Sequence, residues 1–100
     1  MNERPIPEAA LRDKNAVEML RVWIAEEQLQ CSMKVGMYQE TMNIPEGRAW
    51  GVILADVTRH VASALEAGYS ADRAEIIQEI RASYLRELGK PSSGATGEFI

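Results

Sequence analysis

Two adjoining segments constrain the fold of this chain more than anything else in it. The run "LQCSMKV" alternates without a break: Leu29, Cys31, Met33 and Val35 are apolar, while Gln30, Ser32 and Lys34 are polar. A period of two places the apolar set on one side of an extended backbone, so the segment reads as a half-buried β-strand. Just upstream, "EMLRVWIA" sets Leu20, Val22 and Ile24 on one side, and Met19, Arg21, Trp23 and Ala25 on the other. The polar tip "AEEQ" lies between them. Together they predict an antiparallel hairpin.

Parity narrows the register. Directly paired residues of an antiparallel hairpin share a face. Placing Leu20, Val22 and Ile24 beside Leu29, Cys31 and Met33 requires an even loop. A two-residue Glu27-Gln28 loop sets Arg21 against Lys34 and asks both loop residues for positive φ. A four-residue loop over 25–28 pairs Ile24 with Leu29 and Val22 with Cys31, and is preferred.

After Val35 the chain passes through Gly36, Asn43, Pro45 and Gly47, a connection rich in breakers. Helical spacing follows: Trp50, Ile53, Leu54, Val57, Val61, Ala64 and Leu65 fall on one face, with Gly68 as a left-handed stop. A second helix begins near Ser70, a candidate N-cap, with Asp72 in its first turn. Its stripe is Ile77, Ile80, Tyr84 and Leu88, and Gly89 and Pro91 end it. The fold class is therefore α+β, a two-layer ββαα domain over residues 16–89. An extended arm precedes it (1–15, stiffened by Pro5 and Pro7, with one possible helical turn at Glu8–Lys14) and a flexible tail follows (90–100). Two strands make a thin sheet with bare edges, and Trp23 and Met19 sit on its far side. A homodimer with interface residues Trp23 and Met19, extending the sheet, would cover them.

The strand "LRVW", a second strand, and "AWGVILADVTRHVASAL" resemble an uncharacterised, mainly alphaproteobacterial family of proteins about this long, a domain of unknown function. The resemblance runs from Val17 to Leu88 and rests on Trp23, Trp50-Gly51, Asp56 and His60. It implies a fold and no mechanism.

Composition excludes several function classes. A formal charge of −4 and the absence of any basic stripe argue against nucleic acid. No apolar run reaches the ~18 residues of a membrane helix, and the charged first residues are no secretory signal. Cys31, the single cysteine, can make no internal disulfide, so a cytoplasmic protein is expected. Nothing calls for a cofactor.

The possible chemistry centres on His60, the only histidine, one helical turn from Asp56. On a wheel centred on Trp50 they lie about 80° and 120° away, at the border of the apolar stripe. A carboxylate could orient the imidazole as a base or ligand. A metal needs further ligands, and there is no second histidine or available thiol. A nucleophile is also missing: Thr58 lies about 160° from His60 on the wheel, and Cys31 should face the core. A rim ion pair of Asp56 with His60 is the preferred reading. Arg81 falls inside the apolar arc of the last helix, where it must pair, with Asp56 or Glu66 the first candidates, or bind an anion in a cleft. Gly51, mid-helix, implies close approach of the hairpin or second helix. Met33 reads as core, Met37 as core edge and Met42 as loop cover. The Glu26-Glu27 tip is solvated or a partner contact. Two functions follow: a non-catalytic homodimeric interaction module, or a small-molecule binder or minor enzyme with a cleft at His60, Asp56 and Arg81.

Overall fold

The computed structural model describes residues 1–99. Its elements run α1 (Glu8–Arg12), β1 (Leu20–Ala25), β2 (Gln28–Met33), α2 (Met37–Thr41), α3 (Glu46–Tyr69), α4 (Arg73–Gly89) and β3 (Ala95–Phe99). They form two units: a sheet unit of residues 1–35 with β3, and a helical unit of residues 36–94.

In the sheet unit, β1 and β2 pair antiparallel in the register that parity selects, with Val22 opposite Cys31 and Ile24 opposite Leu29. The ladder continues one pair further than expected, to Ala25 and Gln28. The loop is therefore two residues, Glu26 and Glu27, not four. Both take positive φ, 54° and 63°, the backbone of a tight hairpin turn. The extra strand pair outweighs the reluctance of glutamate to enter that region.

The sheet is three-stranded and mixed, correcting the two-stranded expectation. Residues read as a loose tail supply β3, parallel to β2, with Leu29 opposite Ala95, Cys31 opposite Gly97 and Met33 opposite Phe99. Partners share a face, so the alternation of "ATGEF" adds Ala95, Gly97 and Phe99 to the apolar side and leaves Thr96 and Glu98 on the polar side. There the Thr96 hydroxyl donates to Gln30 Oε1 at 2.7 Å. Gly97 is obligatory. Its φ is 135°, and a Cβ would lie 1.9 Å from the Cys31 carbonyl oxygen.

In the helical unit, α3 begins at Glu46 behind Pro45, runs through Gly68 and ends at Ser70, whose φ of 56° makes it the left-handed cap. Ser70 is thus a stop for α3 and not the N-cap of α4. Asp72 has that role, accepting from the Glu75 N–H at 3.1 Å. The half-buried face of α4 carries Ile76, Ile77 and Ile80, whereas Tyr84, Leu85 and Leu88 further along are exposed. At Gly51 a Cβ would meet nothing within 4 Å beyond its own helix backbone, so α4 makes no close approach there. Met33 and Met37 are half-buried and Met42 is exposed.

The core is slight. Ala49 and Ala62 are the buried apolar residues among those described, and the sheet unit has none.

Candidate interaction surface

β1 lies at the outer edge of the sheet. Which of its backbone groups face outward follows from one bond: the Lys34 N–H donates to the Met19 carbonyl at 3.0 Å. In an antiparallel ladder, the residues directing both backbone groups at the neighbour alternate. Met19, Arg21, Trp23 and Ala25 therefore turn theirs toward β2. Leu20, Val22 and Ile24 turn theirs to the free edge. No turn or loop backbone bond among the described residues reaches those three.

A groove of about 580 Å³ follows this edge. One wall includes Leu20, Arg21, Val22 and Trp23, and the other includes Pro5, Ile6 and Pro7 of the arm. Consecutive strand side chains point to opposite faces, so four in a row lining one groove means that it tracks the edge itself. The prolines have no N–H to offer, so the arm there cannot serve as a paired strand.

Arg21 ties the arm in place. Its Nε and Nη2 donate to the two carboxylate oxygens of Glu18 at 2.6 and 3.2 Å, and its Nη1 donates to Glu3 at 2.7 Å. The hydrogen bond and charge of Glu18, with Glu3 behind, raise the guanidinium pKa above its ordinary value. With two carboxylates in its fork, Arg21 is not an anion site. The alternation of the first strand singled out Trp23 and Met19 and passed over this pairing; its signal was Glu18, three residues before Arg21. Trp23 and Met19 are both half-buried.

The residues expected to carry chemistry are not assembled. Asp56 forms an ion pair with Arg59, one turn along α3, rather than with His60. The (i, i+3) spacing places the Arg59 guanidinium beside the Asp56 carboxylate, which is thereby already paired. His60 is exposed. Arg81 is exposed too, and among the described residues it has no ion pair with Asp56, Glu66 or any other carboxylate. Three of the hollows among the described residues are the edge groove, one at Glu18, Arg21, Ser32, Met33 and Lys34, and one at Glu79, Ile80, Tyr84 and Glu87. None is lined by His60, Asp56 or Arg81. Among the described residues no three His, Cys, Asp or Glu side chains gather as a metal would need. Cys31 is free and half-buried rather than core.

Sequence reading also missed Glu46. Its carboxylate accepts from the Gly36 N–H at 2.7 Å, the Gln39 N–H at 3.0 Å and the Trp50 indole N–H at 3.3 Å. It binds the start of α2 to the start of α3, and these donors, Gly36 first, hold its pKa below the ordinary carboxylate value. The available signal was Glu46 four residues before Trp50.

A family model described as a domain of unknown function (DUF5076) matches residues 3–92. A solved structure from the photosynthetic bacterium Rhodopseudomonas palustrus CGA009, of a protein provisionally named a pyruvate dehydrogenase, superimposes with a TM-score of 0.67. Its sequence is 23% identical, over 96% of this chain and 92% of that one. At that identity the likeness shows the fold. No curated protein matches the chain. No helix among the described residues is long and apolar enough to cross a membrane.

Proposed function

The chain belongs to this family of unknown function, and from that premise we propose that it is a homodimeric protein-interaction module without catalytic activity. One observation carries the reading: among the described residues the buried apolar side chains are two alanines of the helical unit, while each unit carries large apolar side chains that stay exposed. On the sheet, Ile24 (82% exposed) pairs with Leu29 and Val22 lies two residues along on the same side, with Phe99 further along that side opposite Met33. On α3, Val57 and Val61 at the centre of the stripe are 48% and 42% exposed. Scattered apolar residues on a surface are ordinary, but contiguous faces mark interaction.

A second copy is the partner that fits. Chain entropy opposing folding is large, and burial must offset it whenever the chain folds. A partner needed for folding itself has to be present wherever the chain is made, and another copy always is. Trp23 and Met19, beside the edge groove, are its interface residues.

The test is the mass in solution by light scattering on a sizing column at low micromolar concentration. A value near twice 11.1 kDa is expected. A cooperatively folded monomer of 11.1 kDa would overturn the proposal.

A further inference from the structure

We infer that two copies join through their β1 edges, antiparallel about a two-fold axis, with Val22 facing Val22, so that the two three-stranded sheets become one. The inference rests on the dimer proposed above and specifies its interface.

The outward backbone groups of Leu20, Val22 and Ile24 are a ready template for another strand. Edges are commonly protected by lysine, proline or a bulge. "LRVWI" has no lysine, proline or bulge, Arg21 is its one charge, and it consists largely of strong strand formers. The opposite edge of the sheet, β3, contains Gly97 and Glu98, which weaken it as a template.

Geometry selects the register. A two-fold axis perpendicular to the sheet preserves its faces, so paired residue numbers must add to an even number. Centring on Val22 pairs Leu20 with the partner's Ile24 and Val22 with the partner's Val22. Every outward-facing residue then meets an outward-facing residue, and both hydrogen bonds of each pair can form. Arg21 stands opposite the partner's Trp23, a cation beside an indole. Centring on Arg21 instead opposes two guanidinium groups and leaves Ile24 unpaired. Centring on Trp23 leaves Leu20 unpaired. The Val22-centred register also makes the apolar sides of both sheets continuous, bringing Ile24, the most exposed of the sheet's large apolar residues, against Leu20.

The occupant is another β1; Pro5, Ile6 and Pro7 of the arm line the opposite wall of the groove along this edge, so the arm, held through Glu3 on Arg21, swings aside when the second strand pairs. A foreign extended peptide is the competing occupant, and the arm closing onto the edge is the other.

Two variants test this. Val22→Pro removes an N–H that faces away from β2, so the hairpin keeps its bonds while the edge loses a donor and gains a steric block. It should weaken dimerisation about a hundredfold with an unchanged far-ultraviolet spectrum. Val22→Cys must be made with Cys31→Ser, because Val22 and Cys31 are cross-strand partners and would otherwise bond within one chain. Under mild oxidation it should give a covalent dimer, because cross-strand Cα separations suit a disulfide. Ser32→Cys in the same background, on the inner strand β2, should not. This readout stands even if Val22→Pro fails to fold. A wild-type dimer with no V22C cross-link would place the interface elsewhere and sink the inference, leaving the dimer intact. If V22P folds, its persistence as a dimer would do the same. A monomeric wild type would remove the dimer itself and, with it, this interface.

Discussion

At the scale of single residues, Glu46 gives the sharpest expectation. Its pKa lies below the ordinary carboxylate value because the Gly36 N–H, then the Gln39 N–H and the Trp50 indole, bind the charged form. A group depressed in the folded state stabilises above its ordinary pKa, and that contribution is lost as pH falls through the lowered value. The junction of α2 and α3 should therefore loosen on the acid side of the carboxylate range. In a Trp23→Phe background, where Trp50 is the remaining tryptophan, its emission should titrate there. Glu46→Gln should abolish that step; an unaltered titration in E46Q would show that another group governs it. Gly51 offers an independent check. It is exposed within α3, and a Cβ there meets nothing within 4 Å beyond its own helix backbone. Gly51→Ala should therefore raise stability by about 1 kcal/mol, read as a higher urea midpoint at constant slope. A loss instead would mean that a second copy approaches the backbone at that point.

At the scale of elements, the hairpin turn is the weakest-fitted piece of the sheet unit. Glu26 and Glu27 both have positive φ, and each is a residue that enters this region reluctantly. Glu26→Asn with Glu27→Gly, the pair such turns favour, should stabilise the chain by about 1 kcal/mol or somewhat more, measured by urea unfolding. No gain would mean that contacts outside the turn, such as a partner at this tip, compensate. Residue parity had sufficed to pair Val22 with Cys31, because a one-residue slip would have turned every apolar side chain over. It could not set the loop length, since extending the ladder by Ala25 and Gln28 is a backbone gain that opposes side-chain preference. β3 was harder to read. "ATGEF" has small residues at two of its three apolar-side positions, and its pairing with β2 is parallel across the whole helical segment, far beyond any local signal. The helices were legible as periods of 3.6. Their ends were not, because Gly68 and Ser70 are both plausible stops and Asp72 caps better than Ser70. The Asp56–His60 border pair was visible as a spacing, but Arg59 competes at a neighbouring spacing and takes the carboxylate.

At the scale of the whole molecule, the deficit of buried apolar surface decides how unfolding should depend on concentration. With two alanines as the buried apolar residues among those described, a dimer would share with its second copy most of the burial that stabilises it. Folding and association are then one equilibrium, and each tenfold increase in concentration favours the folded dimer by about 1.4 kcal/mol. The unfolding entropy scales with chain length, so two chains of 100 residues should show a midpoint rise of about 3 °C per tenfold. Salt should act in the same direction. Each copy carries a net charge of −4, so like charge opposes association while apolar contact drives it. Screening that repulsion should raise the midpoint further. An interface held chiefly by ion pairs would respond with the opposite sign. Calorimetry over two decades of concentration, at low and moderate salt, reads both effects. A midpoint independent of concentration, with calorimetric and van't Hoff enthalpies equal for a single chain, would mean that the exposed faces play no part in stability. A falling midpoint with added salt would instead move the driving force from Val22, Ile24 and their neighbours to the charged residues around them.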